Sequence, residues 1–248
     1  MPCAPGFSLQ SDLFESAIDM DFSRFQCLTF DCYGTLIDWE SGILGALRPI
    51  LAAHRRNLSD NGILELYAAI ESELEAGPYM PYRQILELAV VKMGARLVFS
   101  PTVEEVRSLA ESLKTWQPCP DTVAALRQLK TRHKLAIISN TDDDLFAETA
   151  GSLQVPFDHV ITAQQARSYK PSANNFRLAL ERIGLPSNRI LHVAQSLYHD
   201  ILPAKELGLA TVWVNRRASK KGAGATPPAH AQADLVVPDL AGLTALIN

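Results

Sequence analysis

Residues 25–36 read FQCLTFDCYGTL, and they give the first clear strand signal in the sequence. A short apolar run rich in Phe, Leu and Thr stops at Asp31, and Gly34 follows shortly after it. The pattern predicts a buried β-strand that ends in a tight loop. An acidic side chain at such a strand end is a candidate for chemistry, because ligands of parallel sheets bind beyond the carboxyl ends of the strands.

Downstream of this stretch, predicted strands alternate with predicted helices. Apolar runs predict strands at 135–140, 157–162, 190–194, 210–215 and 234–238, and helices at 121–130, 172–183 and 200–207. Strands that alternate with helices require crossover connections, which give a parallel sheet covered on both faces. The strand before Asp31 belongs to the same sheet.

The segment after the first strand has only helical patterning. Apolar residues recur at helical spacing over 42–58, 62–76, 83–95 and 102–116. The predicted fold is therefore α/β, with a Rossmann-like parallel-sheet core and a helical cap domain inserted after the first strand. We assign residues 1–41 and 117–248 to the core and residues 42–116 to the cap.

Composition excludes several classes of protein. The 248 residues are 47% hydrophobic with 23 basic and 27 acidic side chains, so the chain is neither disordered nor suited to nucleic acid. The four cysteines form no C-x-x-C pair, which favours free thiols over zinc or disulfides. With no secretory signal and no apolar run of about 20 residues, we expect a cytoplasmic protein that has no membrane partner.

Two segments are expected to be irregular. Residues 1–21 resemble a weakly ordered lead-in, although Leu13, Phe14 and Ile18 could dock a short helix. Residues 216–232 have the composition of a flexible loop.

Polar side chains follow several of the predicted strands, where the topology brings them to one edge of the sheet. They are Asp31, Ser139, Asn140, Lys170, Gln195, Ser196 and Asp200. A carboxylate, hydroxyl and amide groups, an ammonium and a second carboxylate together indicate covalent catalysis on a small molecule.

These residues carry a resemblance to a known family. Asp31-Cys-Tyr-Gly-Thr-Leu resembles motif one of the haloacid dehalogenase superfamily, and Ser139-Asn140 resembles motif two. Lys170-Pro171 is similar to motif three, and Ser196 to Asp200 to motif four. The resemblance covers about residues 22–215, and the helical insertion stands where that superfamily places its cap.

Two positions separate this chain from the superfamily's phosphatases. Phosphatases have a second Asp two residues after the nucleophile; here Tyr33 stands there and, with an ordinary pKa of about 10, protonates a leaving group poorly. Gln195 replaces an Asp that binds magnesium, and an amide is a poorer ligand for that ion. The chain thus most resembles the metal-independent (type II) 2-haloacid dehalogenases, which implies no metal and no cofactor.

The resemblance implies a mechanism on (S)-2-haloacids. Asp31 attacks the halogen-bearing carbon, and water hydrolyses the ester to a 2-hydroxy acid and halide. Lys170 keeps Asp31 ionised, and Asp200 orients the water or Lys170. The substrate would be bound by Tyr33, Ser139, Asn140, Gln195, Ser196 and Arg83.

Some substrate-binding positions depart from the family. The first cap helices of the family carry an Arg, but Leu66-Tyr67-Ala68-Ala69 has none, so Arg83 is the nearest candidate clamp. Leu197 and Phe176 replace an Asn and a Tyr. Two alternatives therefore stay open: a magnesium-dependent phosphatase, and a member with an unusual substrate or no catalysis. A homodimer is also possible.

Overall fold

A computed structural model describes residues 20–247, and its central element is a parallel sheet. The strands are β1 (Cys27–Phe30), β2 (Lys134–Ser139), β3 (His159–Thr162), β4 (Ile190–Ala194), β5 (Ala210–Val214) and β6 (Leu235–Val237). Their order across the sheet is β3-β2-β1-β4-β5-β6, and every neighbouring pair is parallel. The predicted α/β fold with a parallel sheet is confirmed.

The sheet is buried on both faces, as the continuous apolar runs predict. Along β1, Leu28 and Phe30 face one hydrophobic cluster, whereas Cys27 faces another. In β2, Ile137 and Ile138 divide between the same two clusters. This alternation follows from the two-residue period of a strand, and it leaves only the strand ends open to a ligand.

Helices fill the chain between β1 and β2. They are α1 (Trp39–Ala53), α2 (Asp60–Glu75), α3 (Tyr82–Leu97), α4 (Val103–Ser112) and α5 (Thr122–Lys130). The first begins at Trp39 rather than at residue 42, because the Asp38 carboxylate caps it and accepts the backbone N–H of Ser41. The helical insertion is present where it was predicted, whereas the exact division into core and cap stays a prediction.

The second half of the chain supplies the remaining helices. They are α6 (Asp143–Leu153), α7 (Ala163–Ala166), α8 (Ala173–Ile183), α9 (Leu202–Glu206) and α10 (Leu240–Ile247). The helix predicted over 200–207 starts earlier, with a π-helical turn at Leu197–Ile201. The sequence analysis did not predict α10.

Other predictions have mixed outcomes. Cys27, Cys32 and Cys119 are free and buried thiols, as expected, whereas Cys3 and the docking residues Leu13, Phe14 and Ile18 lie outside the described residues. Within residues 20–247, no helix has the length and apolar character to cross a bilayer. The cytoplasmic location and the homodimer stay predictions.

Two glycines of α1 provide a test of how this helix packs against Trp116. A Cβ at Gly42 would clash with the buried ring of Trp116, which lies edge-on to Tyr33, whereas a Cβ at Gly45 has nothing within 4 Å. Gly42→Ala should lower the free energy of unfolding by about 1–3 kcal/mol through overpacking. Gly45→Ala should raise it by up to about 1 kcal/mol through helix propensity. Denaturant unfolding measures both, and effects of the same sign would contradict the packing described.

Candidate active site

The predicted polar residues meet in one small cavity at the carboxyl edge of the sheet. Those that line it are Asp31, Tyr33, Ser139, Asn140, Lys170, Gln195, Ser196 and Asp200. Its volume is about 30 Å³, room for about two water molecules. The structure thus brings together residues from the ends of β1, β2 and β4 and from the loop after α7.

The Lys170 ammonium lies at the centre of the site. Its Nζ donates to Asp31 Oδ1 at 2.9 Å, to Asp200 Oδ1 at 2.6 Å and to the Ile138 carbonyl at 2.8 Å. The side chain is only 1% exposed. An ammonium has three N–H donors, so all of them are used and the charge is paired within the protein.

Asp31 is the carboxylate that remains open to the cavity. Its Oδ1 accepts from Lys170, and its Oδ2 accepts from the Thr35 hydroxyl at 2.7 Å. Burial raises the pKa of the Asp31 carboxyl above its ordinary value, and the Lys170 ammonium opposes that shift. Lys170 therefore keeps ionised a carboxylate that is more basic than an exposed one, which suits a nucleophile.

Asp200 is held differently. Its Oδ1 accepts from Lys170 and lies 3.1 Å from His192 Nε2, while Oδ2 has no hydrogen-bond partner among residues 20–247. Burial acts to raise its pKa, but Lys170 and His192 outweigh burial and hold it below the ordinary value. Asp200 is thus the more acidic of the two carboxyls. It is suited to orienting a hydrogen-bond donor, such as Lys170 or a water molecule.

Thr35 connects Asp31 to the neighbouring strand. Its hydroxyl donates to Asp31 and accepts the Gln195 backbone N–H at 2.8 Å. Gln195 Oε1 accepts from Thr226, a residue of the loop predicted at 216–232, and Thr226 lines the cavity. This loop therefore closes one side of the site, which its flexible composition did not predict.

The two residues of the Ser139-Asn140 pair have different environments. Asn140 Oδ1 accepts the Lys170 backbone N–H at 2.7 Å, and its Nδ2 donates to Glu75 and to the Lys170 carbonyl. Asn140 thus positions the lysine. Ser139 Oγ is buried without a partner in the described part of the chain, so its hydroxyl is available to a ligand.

Ser196 and Tyr33 line the cavity with their polar atoms already engaged. Ser196 Oγ accepts the His199 backbone N–H at 2.8 Å and caps the π-helical turn. The Tyr33 hydroxyl lies 2.8 Å from Thr149 Oγ1, and burial raises its pKa. Both residues therefore act mainly as part of the cavity wall rather than as hydrogen-bond donors to a ligand.

His199 also lines the cavity, although it was not among the site residues predicted from the sequence. Burial lowers the pKa of its imidazole to about 4, so the ring is neutral at neutral pH. Its Nε2 has no hydrogen-bond partner among the residues described and lies 3.8 Å from Glu75.

The predicted cap contributes Glu71, Glu75 and Tyr82, and the start of α1 contributes Trp39; none of these was among the site residues predicted from the sequence. Glu71 Oε1 accepts the hydroxyls of Tyr67 and Tyr82, both at 2.6 Å. The signal available in the sequence was the position of Glu71 among the apolar residues of its helix, with Glu75 one turn later.

Arg83 is not brought to the cavity. Its guanidinium donates to Asp144 at 2.8 Å, and its side chain is 39% exposed. Its backbone N–H and that of Tyr82 bind the Asp142 carboxylate, which fixes the start of α3. Arg83 was a candidate clamp only because of its place in the cap sequence. Its contacts in the structure are with Asp142 and Asp144 instead.

A divalent metal does not fit the donor set. The Lys170 ammonium occupies the space between Asp31 and Asp200 and takes an oxygen of each. Across residues 20–247, no group of three or more His, Cys, Asp or Glu side chains could hold a metal ion. The arrangement instead provides a carboxylate paired with an ammonium, a second carboxylate with an unpartnered oxygen and a partly enclosed cavity.

Comparison with known proteins identifies a family and similar enzymes. A family model described as haloacid dehalogenase-like hydrolase matches residues 25–208. (S)-2-haloacid dehalogenase H-109 of Pseudomonas putida is 28% identical over 211 residues, which cover 81% of this chain and 90% of that protein. Haloacetate dehalogenase H-2 of Moraxella sp. (strain B) is 26% identical over 199 residues, covering 78% and 87%.

A solved structure shows the same fold. L-2-haloacid dehalogenase from Xanthobacter autotrophicus, with chloropropionic acid covalently bound, superposes with a TM-score of 0.73. The match covers 90% of this chain and 98% of that one at 22% identity.

Removal of the central ammonium tests the electrostatics of the site. Lys170→Met should lower the free energy of unfolding by about 3–5 kcal/mol, because two buried carboxylates lose their counter-ion. The unpaired carboxyls then have raised pKa values, so the loss should be larger at about pH 8 than at about pH 5. Denaturant unfolding at both pH values measures this.

Lys205→Met is the matched control, since Lys205 pairs with Asp234 in a half-exposed bridge and its removal should cost under about 1 kcal/mol. Adding Asp200→Asn to Lys170→Met should restore part of the stability. Equal effects of the two lysine variants would refute the central pairing.

Proposed function

Because this chain belongs to the haloacid dehalogenase-like hydrolases, we propose that it cleaves the carbon–halogen bond of a small molecule through an ester on Asp31. The observation that carries the proposal is the Lys170 ammonium, which contacts both Asp31 and Asp200. This pairing supplies an ionised nucleophile without a metal. The names of the relatives from Pseudomonas putida and Moraxella support a small 2-haloacid as the substrate, with a 2-hydroxy acid as the product.

The first step forms one bond and breaks one. A carboxylate oxygen of Asp31 attacks the halogen-bearing carbon, and the halide leaves with the electron pair of the carbon–halogen bond. A halide is a stable anion, so this step needs no general acid. Tyr33, where the superfamily's phosphatases have an acid, and Trp39 line the cavity and limit the water around the reacting carbon.

The second step returns the enzyme to its starting state. Water attacks Cγ of the Asp31 ester, and the Asp31 oxygen bonded to substrate leaves as the product hydroxyl. Asp200 Oδ2, unpartnered within residues 20–247, accepts a hydrogen bond from that water and orients it. The water oxygen remains in the Asp31 carboxylate, and the net reaction releases a halide and a proton.

The remaining residues position this chemistry. Thr35 fixes Asp31 Oδ2, His192 fixes Asp200, and Asn140 holds the backbone of Lys170 through a bond to its N–H. With the two carboxylates bound to the ammonium, no step requires magnesium. We therefore propose that the reaction is independent of metal and cofactor.

Halide release tests this proposal. Purified enzyme should release chloride from 2-chloropropionate, and EDTA should leave the rate unchanged. Asp31→Asn should reduce the rate by about 10³-fold or more, because it removes the nucleophile. Ion chromatography of chloride measures both effects.

Asp38→Asn is the matched control, since it changes a nearby acid that caps α1 and an Asn caps equally well. Its rate should equal that of the wild type. Chloride release that depends on magnesium, or that survives in Asp31→Asn, would overturn the proposal.

A further inference from the structure

We infer that Arg216 and Asp121 position the nucleophile of the proposed reaction, because they fix the backbone of Thr35 and so hold the Thr35 hydroxyl on Asp31. The inference rests on the proposed function and assigns two positioning residues to it. Neither Arg216 nor Asp121 lines the cavity, and neither was among the site residues predicted from the sequence.

The first contact joins Arg216 to the loop that carries the nucleophile. Arg216 follows the end of β5, and its Nε donates to the Thr35 carbonyl at 2.7 Å. Thr35 is fully buried, and its hydroxyl donates to Asp31 Oδ2 at 2.7 Å. Threonine is branched at Cβ and has few side-chain rotamers, so the direction of its hydroxyl depends on the position of its backbone. Arg216 therefore acts on Asp31 through Thr35.

Asp121 holds the guanidinium of Arg216 in place. Its carboxylate oxygens accept from Arg216 Nη1 at 2.9 Å and from Nη2 at 3.2 Å. Both side chains are mostly buried, with 15% of Arg216 and 14% of Asp121 exposed. A planar guanidinium can bind a carboxylate through two N–H groups and still present Nε to a carbonyl, whereas an ammonium lacks this shape. The geometry therefore requires an arginine at this position.

Asp121 stands at the start of α5 but does not cap that helix. It occupies the N-cap position, yet its side chain makes no capping hydrogen bond. Its Oδ2 instead accepts the backbone N–H of Leu240, the first residue of α10, at 2.6 Å. An N-cap Asp commonly stabilises its helix by about 1 kcal/mol. The carboxylate is thus committed to Arg216 and to α10 rather than to its own helix.

The next carbonyl of the nucleophile loop is held from the same turn. The Leu36 carbonyl accepts the Cys119 backbone N–H at 2.9 Å and the Thr122 hydroxyl at 2.8 Å. Two consecutive carbonyls of the loop are therefore fixed, one by Arg216 and one by residues next to Asp121. A reacting group displaced by about 1 Å can lose about 10²-fold in rate, even when the mutation is remote. Release of the Thr35 carbonyl should therefore slow the chemical step more than it weakens substrate binding.

A double-mutant cycle on Arg216 and Thr35 tests whether the arginine acts through the threonine. Arg216→Gln should lower kcat for chloride release from 2-chloropropionate about tenfold, with KM changed by less than about twofold. Thr35→Val removes the hydroxyl, so in that variant Arg216→Gln should lower kcat by less than about twofold. Asp121→Asn keeps the shape of the side chain and removes its charge, so it should lower kcat by a smaller factor than Arg216→Gln.

Arg217→Gln is the matched control, since Arg217 forms a similarly buried pair with Glu40 and has no hydrogen bond to Thr35 within residues 20–247. It should change kcat by the same factor with and without Thr35→Val. An unchanged kcat in Arg216→Gln, or an equal fall with and without the Thr35 hydroxyl, would overturn the inference and leave the ester mechanism intact.

Amide hydrogen exchange separates this inference from the proposed function, because it needs no substrate. The Gln195 backbone N–H donates to the Thr35 hydroxyl, whereas the Asp31 backbone N–H donates to the Val193 carbonyl. In Arg216→Gln the Gln195 proton should exchange at least about tenfold faster than in the wild type, and the Asp31 proton should not. If the wild type releases no chloride, this measurement alone decides. Unchanged exchange at Gln195, or an equal increase at both protons, would contradict the inference.

Discussion

The ammonium of Lys170 between Asp31 and Asp200 is the interaction on which the site depends. A buried charge is tolerated only when it is paired and hydrogen-bonded, and here three protein oxygens satisfy it. Those oxygens come from the ends of β1 and β2 and from the turn after β4. The strand order β2-β1-β4 is therefore a requirement of the chemistry, since only adjacent strands bring these groups within reach of one side chain.

The two carboxylates that share the Lys170 ammonium differ in pKa. Asp200 also contacts His192 and is the more acidic, whereas Asp31 opens to the cavity and is the more basic. This difference in pKa matches their proposed roles: Asp31 forms the bond to carbon, and Asp200 orients water. The cap then adds Glu71 and Glu75 to the lining of the same small cavity.

Much of this arrangement follows from the sequence, because strand patterning and the rule that ligands meet strand ends placed Asp31, Lys170 and Asp200 together. The missing parts depend on tertiary packing. An acid on an amphipathic helix is ordinarily exposed, so the apolar neighbours of Glu71 were a weak signal, and its burial is explained only by its tyrosine partners. Arg83 was a candidate by proximity alone, but its guanidinium pairs with the exposed Asp144 and does not line the cavity. Local patterns specify strands and helices, whereas the direction of a long polar side chain depends on distant neighbours.

The origin of the product oxygen tests the ester on Asp31 most directly. With enzyme in excess over substrate in water labelled with ¹⁸O, an ester on Asp31 should give an unlabelled product hydroxyl and one ¹⁸O atom in the peptide that contains Asp31, since the hydroxyl comes from the carboxylate and water replaces it. Mass spectrometry reads both positions. A labelled product with an unlabelled Asp31 peptide would show direct attack by water on the substrate and would contradict the ester mechanism.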